Sequence, residues 1–174
     1  MKKAALHNLG CKVNAYETEA MQHLLEEAGY EIVPFTQKAD VYVINTCSVT
    51  NMADRKSRQM LHKAKKNNPD SIVVAAGCYV ETSEKEVLND LSVDIVIGND
   101  RKHDLVRLLE EYSLDSVNDT VDDINDGKHD FEELFIDQTK EHTRAFIKVQ
   151  DGCNQFCSYC IIPVSYTHLR AHET

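Results

Sequence analysis

The sequence predicts an α/β protein whose first part, from Lys3 to Tyr112, forms an open, doubly wound and mostly parallel sheet. Short apolar runs alternate there with longer amphipathic runs. The short runs are rich in Val and Ile, and Gly, Asn, Asp or Pro bound them. Strands that alternate with helices pair in parallel through right-handed crossovers, which covers both faces of the sheet with helices.

Five short segments are predicted as strands, because they are rich in β-branched residues and end at turn-forming residues. In chain order they are AALHNLG, EIVPF, VYVINT, SIVVAAG and DIVIGN. The predicted helices are ETEAMQHLLEEAGY, NMADRKSRQMLHKAKKNN, TSEKEVLNDL and RKHDLVRLLEEY. The first helix places Ala20, Leu24, Leu25 and Ala28 on one face and ends at Gly29. The third is expected to begin with a Thr or Ser cap.

The acidic residues are concentrated in one segment. The formal net charge is −10, but residues 113–142 carry ten acidic residues against Lys128 and Lys140, which leaves −2 for the rest. This segment is turn-rich and weakly periodic, so it is predicted as an acidic linker. In RAFIKVQDG apolar and polar residues alternate again, with Ala145, Ile147 and Val149 on one face. This segment is predicted as the first strand of a second domain.

The composition predicts a soluble protein of the cytoplasm. Hydrophobic residues make up 42% and charged residues 28% of the chain, and no apolar run approaches the roughly 20 residues that span a bilayer. The apolar run in MKKAALHNLG is too short for a signal peptide. In a reducing compartment, six cysteines favour metal binding or catalysis over disulfides.

Cys11, Cys47 and Cys78, the first cysteine set, each follow a predicted strand directly. The carboxyl ends of parallel strands meet at one edge, where ligands bind, so we expect these thiols to converge. Gly10 and Gly77 could let the backbone turn sharply beside a bulky inorganic group. Three thiolates suit zinc or an iron–sulfur cluster and leave one metal position open. Taken singly, each cysteine could instead be a small buried hydrophobe.

Cys153, Cys157 and Cys160, the second cysteine set, lie within DGCNQFCSYCIIP. A loop of this spacing can wrap three corners of a cubane cluster and leave the fourth iron without a protein ligand, whereas a bacterial ferredoxin would show tighter spacing and a fourth cysteine before proline. A zinc site would need a fourth ligand, for which His168 and His172 lie downstream.

The C-x3-C-x2-C spacing, with Tyr159 before the last cysteine, resembles the radical S-adenosylmethionine superfamily. Four stretches together resemble its methylthiotransferases: NLGCKVNAYETEAM, NTCSVTNMADRKSRQ, AAGCYVE and RAFIKVQDGCNQFCSYCIIP. LGCKVN and NTCSVTNMADRKSRQ look most like the MtaB type, which modifies tRNA carrying N6-threonylcarbamoyladenosine next to the anticodon. The resemblance runs from about Lys3 to Pro163.

This resemblance implies two four-iron four-sulfur (4Fe-4S) clusters and S-adenosyl-L-methionine as cofactors. The second cysteine set would hold the cluster that chelates S-adenosyl-L-methionine and, once reduced by a protein such as flavodoxin or ferredoxin, cleaves it to a radical. Tyr159 would lie near the adenine of that cofactor. The first set would hold the auxiliary cluster, which carries the sulfur to be inserted at C2 of the modified adenine. No catalytic side chain is assigned.

The same resemblance divides the chain into four segments. Residues 1–112 would form the α/β domain with the auxiliary cluster, 113–142 the linker, and 143–163 the start of a radical S-adenosylmethionine β/α barrel. Residues 164–174, VSYTHLRAHET, resemble nothing in the family and read like translated vector or adaptor sequence. We therefore expect a truncated enzyme that is inactive alone, because most of the barrel is absent.

The second predicted helix is strongly basic, with Asp54 the only acid nearby. Its cations form either an ordinary solvated face or a salt-sensitive surface for the phosphates of tRNA. They are Arg55, Lys56, Arg58, Lys63, Lys65 and Lys66. Two other functions stay open from the residues alone: a non-enzymatic iron–sulfur electron-transfer or binding module, and a zinc-stabilised RNA-binding protein.

Overall fold

Six strands form the central sheet of the computed structural model, which describes residues 1–114, 119–120, 148, 150–153, 155–165 and 170–171. They are β1 Lys3–Asn8, β2 Glu31–Ile32, β3 Val41–Thr46, β4 Ile72–Gly77, β5 Ile95–Ile97 and β6 Asp119–Thr120. All neighbouring strands pair in parallel, in the order β2-β1-β3-β4-β5-β6. The predicted parallel α/β sheet is confirmed.

Five helices and a 3-10 helix at Lys102–Asp104 accompany these strands: α1 Lys12–Glu27, α2 Asn51–Asn67, α3 Cys78–Thr82, α4 Glu84–Leu88 and α5 Leu105–Leu114. Further along the chain lie β7 Gln150–Asp151, α6 Ile162–Ser165 and β8 Arg170–Ala171. No helix in the described part of the chain is long and apolar enough to cross a membrane.

Apolar side chains pack on both faces of the sheet. Tyr42 and Ile44 of β3 belong to the core beneath α2, whereas Val41 and Val43 belong to the core beneath α1 and α5. This division arises because successive side chains of a strand point to opposite faces. Each fully buried side chain of this size stabilises the fold by about 1.5–3 kcal/mol. Helices on both faces make the sheet doubly wound, as predicted.

Helix α1 begins at Lys12, before the start that the sequence predicts at Glu17. The prediction was wrong at this end because Asn14 and Glu17, both polar, are buried on the inner face of the helix. Apolar periodicity is therefore missing from its first two turns. Of the predicted apolar face, Ala20 and Leu25 are buried as expected and Leu24 is half-buried, whereas Ala28 is exposed because it lies at the C-cap, where the helix ends.

The helix predicted over TSEKEVLNDL is shorter in the structure, where it is α4, and a separate short helix, α3, ends just before it at Thr82. Ser83 stands at the N-cap position of α4, as predicted, but its side chain makes no capping hydrogen bond. The Thr82 hydroxyl donates to Ser48 Oγ at 2.7 Å instead. This bond holds α3 against the loop that follows β3.

The sheet includes residues that the sequence assigns to the acidic linker. Helix α5 continues to Leu114, and β6 pairs in parallel with Val96–Ile97. The rest of the predicted linker, and most of the strand predicted at RAFIKVQDG, lie outside the described residues. Where that strand is described, Gln150–Asp151 pairs antiparallel with Arg170–Ala171.

Candidate metal centre

The first cysteine set lies at the carboxyl edge of the sheet. Thr46 of β3 is paired with Gly77 of β4, so the residues that follow them, Cys47 and Cys78, leave the sheet side by side. On the other side of β3 lies β1, and Cys11 follows it at the N-cap position of α1. Since α1 and α2 pack on opposite faces, β1 and β3 flank the topological switch point, where open α/β sheets bind ligands.

The three thiols have different surroundings. Cys11 is exposed, and its Sγ donates to Asn14 Oδ1 at 3.4 Å. Cys47 and Cys78 are buried. Ser57 of α2 holds the backbone of Cys47 from both sides, because its Oγ accepts from Cys47 N at 3.3 Å and donates to Cys47 O at 3.1 Å. One thiol is thus open to solvent beside two that are enclosed.

The two glycines that precede cysteines of the first set are needed for packing. Gly77 has a φ of 93°, and a Cβ there would collide with the side-chain oxygen of Asn45 and the backbone of Thr46. A Cβ on Gly10 would collide with the side chain of Asn14. The sequence predicts room for an inorganic group at these positions, but the atoms in close approach belong to the protein.

A buried amide network surrounds this edge, and the sequence reasoning missed it. Asn14 and Asn45 are 2% and 0% exposed. Asn14 Nδ2 donates to Thr46 O at 2.8 Å, and Asn45 Nδ2 donates to Thr18 Oγ1 at 3.2 Å. The signal available in the sequence was one asparagine close to Cys11 and one close to Cys47, each inside an element that is otherwise recognised from its apolar residues.

Burial raises the pKa of the Cys78 thiol to about 12. The ammonium group of Lys102 opposes this rise, while Glu17 and the neighbouring Cys47 and Cys11 thiols add to it. The Cys78 thiol is therefore close enough to the other two thiols to be affected by their charges. Because metals bind the thiolate, a metal bound at Cys78 must displace a proton that the apoprotein retains at neutral pH.

The donor chemistry of this edge fits a soft metal or an iron–sulfur cluster. All six cysteines are free thiols, and thiolates are the ligands that such groups prefer. Within the described residues, however, no three His, Cys, Asp or Glu side chains are arranged to hold a metal ion. The first set shares an edge without being a preformed ligand cage, so binding requires the three side chains to move together.

The second cysteine set lies on a turn with exposed aromatic side chains. Cys160 N donates to Cys157 O at 3.0 Å, which closes the turn. Phe156 has a φ of 48°, a left-handed conformation that non-glycine residues rarely adopt. Phe156 and Tyr159 are 67% and 91% exposed. Tyr159 therefore does not pack into the protein and is available to a ligand.

Both ends of this second cysteine loop contact the elements that carry the first set. Before the loop, Lys148 Nζ donates to Glu17 Oε1 of α1 at 3.1 Å. After it, α6 packs against α3, the helix that begins at Cys78, and Pro163 of α6 is buried. The sequence gives no signal for these contacts, because Glu17 resembles any polar position of an amphipathic helix.

The structure divides the Lys and Arg side chains of α2 into two groups. Lys65 Nζ donates to Asp94 Oδ2 at 2.7 Å, and Arg58 donates to the Tyr79 hydroxyl at 3.0 Å. The remaining cations are exposed and form no ion pair with another described residue: Arg55, Lys56, Lys63 and Lys66. These four positions fall within an arc of about 100° on a helix, so they form one cationic face.

The part of the chain that carries this edge matches a known protein family. Residues 3–98, which include the first cysteine set, match the model of a family described as Uncharacterized protein family UPF0004. The chain is 44% identical to the Threonylcarbamoyladenosine tRNA methylthiotransferase MtaB of Bacillus subtilis, over 99% of this chain and 38% of that protein. It is 40% identical to the protein of the same name from Aquifex aeolicus, over 97% of this chain and 41% of that protein.

The chain spans about two fifths of the length of these relatives. Among solved structures, it is similar to the radical S-adenosylmethionine methyltransferase TsrM from Kitasatospora setae, which has cobalamin and a 4Fe-4S cluster bound. The TM-score is 0.58 at 15% identity, and the match covers 99% of this chain and 43% of that one. At this identity the similarity shows the fold alone.

Proposed function

This chain belongs to the Uncharacterized protein family UPF0004, and on that premise we propose that it forms part of a radical S-adenosylmethionine tRNA methylthiotransferase. The proposed reaction adds a methylthio group at C2 of N6-threonylcarbamoyladenosine next to the anticodon. The names of the two relatives, which contain both threonylcarbamoyladenosine and tRNA, support this substrate. A tRNA substrate also favours a cytoplasmic location.

One observation carries this proposal: β3 and β4 each end directly before a cysteine, and Cys11 follows the end of β1 after Leu9 and Gly10, all at one edge of the sheet. Three thiolates leave one position of a metal centre open, which suits reaction chemistry better than a closed structural site. We propose the first cysteine set as ligands of an auxiliary cluster. The second set would hold the cluster that binds S-adenosyl-L-methionine, with Tyr159 beside the adenine of that cofactor.

When bound, the two 4Fe-4S clusters would supply radical formation from S-adenosyl-L-methionine and the sulfur for insertion, with electrons from a reductant such as flavodoxin or ferredoxin. The aromatic C–H at C2 has no acidic proton, so the chemistry requires no general base from this chain. The side chains of this chain would bind the clusters, shield them from water and orient them. Burial of Cys47 and Cys78 excludes water from one side of the edge, and exposed Cys11 leaves the other side accessible.

The cationic face of α2 supports a nucleic-acid partner. Its four exposed cations have no carboxylate partner among the described residues, so nothing in that part of the chain neutralises them. Phosphates of tRNA would do so and would release counterions. The face begins next to the loop after Cys47, where Val49 and Met52 are 53% and 59% exposed. An RNA lying along α2 would thus reach the candidate metal centre at one end.

Anaerobic reconstitution with iron and sulfide tests the proposal. Wild type is compared with two matched triple Cys→Ser variants, one for each cysteine set, by iron content and Mössbauer spectra. We expect each variant to lose one of two clusters, and S-adenosyl-L-methionine to perturb only the cluster that survives when the first set is replaced. A colourless, zinc-replete product would reject both cluster assignments. Two clusters whose spectra do not change when S-adenosyl-L-methionine is added would favour an electron carrier.

The reaction itself is tested with the full-length protein. It is incubated with tRNA that carries or lacks the threonylcarbamoyl group, and the nucleosides are analysed by mass spectrometry. We expect a mass gain only on the threonylcarbamoylated adenosine. If that nucleoside gains no mass while both clusters are present, the substrate assignment is rejected.

A further inference from the structure

The carboxylate of Glu17 joins two parts of the chain that are far apart in sequence. Its Oε2 accepts from Lys102 Nζ at 2.7 Å, and its Oε1 accepts from Lys148 Nζ at 3.1 Å. The side chains of Glu17 and Lys102 are fully buried, and that of Lys148 is 3% exposed. Lys102 also donates to Asn99 Oδ1 at 3.0 Å.

Buried charges of this kind persist only while they remain paired. Removing ions from water costs several kcal/mol each, and breaking one side of a buried pair leaves an uncompensated charge. Burial alone would raise the pKa of Glu17, but the ammonium groups of Lys102 and Lys148 outweigh it and hold the pKa below its ordinary value. Glu17 is therefore ionised at neutral pH, and each of its oxygens binds a different segment.

The two bonded segments lead to the two cysteine sets. Glu17 lies in the second turn of α1, the helix that follows Cys11 directly. Lys148 precedes Cys153 by a few residues. On the far side of the second loop, α6 packs against α3, which begins at Cys78. The second loop is therefore attached to the carboxyl edge of the sheet both before and after its cysteines.

We propose that Glu17 is a positioning residue that clamps the second cysteine loop, through Lys148, over the edge where the first cysteine set lies. Lys102 keeps the carboxylate charged and oriented for this contact. The purpose of the clamp rests on the proposed function, because two cluster sites must be held at a fixed separation for one to serve the other. The clamp itself concerns side chains of the apoprotein and can be tested without any cluster.

The test is hydrogen exchange in the apoprotein, followed peptide by peptide. Lys148→Met removes one ammonium group but leaves the Glu17–Lys102 pair intact. We expect exchange over residues 150–165 to accelerate by about tenfold, while exchange in β3 and β4 stays unchanged. Tenfold corresponds to about 1.4 kcal/mol of local opening free energy. Lys38→Met, at an exposed lysine, is the matched control and should change neither region.

Two further variants separate a clamp from general stabilisation. Lys148→Arg keeps a cation within reach and should restore most of the protection over residues 150–165. Glu17→Gln should release the same residues, and Glu17→Gln combined with Lys148→Met should release them no further than Glu17→Gln alone. Additive effects would mean that Lys148 acts through another partner, which would overturn the proposal.

Unchanged exchange over residues 150–165 in Lys148→Met would overturn it as well. Equal acceleration of exchange throughout the sheet would also overturn the proposal, because the contact would then stabilise the whole protein rather than the second cysteine loop. If Lys148→Met melts below the assay temperature, Lys148→Gln is measured against the same expectations. Iron uptake is recorded separately. A wild-type chain that binds no iron would reject the proposed function but not the clamp. Normal iron uptake together with unchanged exchange in Lys148→Met would reject only the clamp.

Discussion

Asn14 and Asn45 donate hydrogen bonds to each other across the contact between α1 and β3. Asn14 Nδ2 donates to Asn45 Oδ1 at 3.3 Å, and Asn45 Nδ2 donates to Asn14 O at 3.0 Å. This reciprocal pair ties the helix that follows Cys11 to the strand that precedes Cys47. It fixes the backbone on both sides of the topological switch point.

Asn45→Ala should lower the free energy of unfolding by roughly 1–3 kcal/mol, because it removes one of the two acceptors of the buried Asn14 amide and the amide donor to the Thr18 hydroxyl. Urea denaturation measures this change. The matched control is Asn89→Ala, since Asn89 is exposed and, among the described residues, its side chain bonds only a local carbonyl, that of Lys85. It should cost no more than about 0.5 kcal/mol. Equal losses in the two variants would show that the buried pair contributes nothing beyond an exposed amide.

Gly77→Ala should destabilise the protein more than Gly29→Ala does. Both glycines have a positive φ, 93° and 84°, so both alanines carry backbone strain of about 1–3 kcal/mol, and the ψ of −170° at Gly77 lies in a region that only glycine commonly populates. At Gly29 a Cβ meets nothing within 4 Å, whereas at Gly77 it collides with Asn45 and the Thr46 backbone. We expect an additional loss of about 2 kcal/mol at Gly77. Indistinguishable melting temperatures would contradict the close packing seen at this turn.

Glu81→Gln should stabilise the protein at high pH but not at low pH. Burial raises the pKa of Glu81 from 4.5 to about 7, helped by Asp100 and Glu84 and opposed by Lys102 and a hydrogen bond from Asn99 N at 2.6 Å. Between pH 4.5 and about 7 the carboxyl group of Glu81 is ionised in the unfolded chain but protonated in the folded protein. The free energy of unfolding therefore falls as pH rises from 4.5 towards 7. Glutamine does not titrate and keeps an oxygen that can accept the bond from Asn99.

The measurement is urea unfolding of both proteins at several pH values from 4 to about 8. Relative to wild type, Glu81→Gln should gain about 3 kcal/mol across this range. Glu31→Gln, at an exposed position on the distant edge strand β2, should leave the wild-type pH profile unchanged. Parallel profiles for Glu81→Gln and wild type would contradict the assignment of this pH dependence to Glu81.

Lys63→Glu combined with Lys66→Glu should weaken tRNA binding by the full-length protein and reduce its salt dependence. If both side chains contact phosphates, the slope of log K against log salt concentration should fall in magnitude by roughly 1.5. The control reverses two exposed lysines away from α2, Lys38 and Lys85, and so changes the net charge by the same amount. Unchanged affinity at low salt would remove α2 from the RNA-binding surface.

The sheet and the position of the first cysteine set could be predicted because both follow from local patterns. A run such as VYVINT is recognised as a buried strand wherever it occurs. Parallel strands then bring the residues that follow them to one edge. Cys47 and Cys78 were placed side by side by this reasoning, and the register of Thr46 with Gly77 agrees with it.

The polar contacts around that edge could not be predicted in the same way. Asn14 and Glu17 occupy the inner face of α1, where the helical pattern predicts apolar residues. Each is tolerated there because partners distant in the chain satisfy it, Asn45 in one case and Lys102 with Lys148 in the other. No window of sequence contains both partners.

The sequence by itself thus determined which elements form and which residues end the strands, since these depend on the preferences of a few consecutive residues. Only the tertiary structure decided that Glu17 accepts a bond from Lys148, which lies 131 positions away. The physical reason is that a buried charge is stable only beside its counter-charge, and the fold alone determines which counter-charge that is.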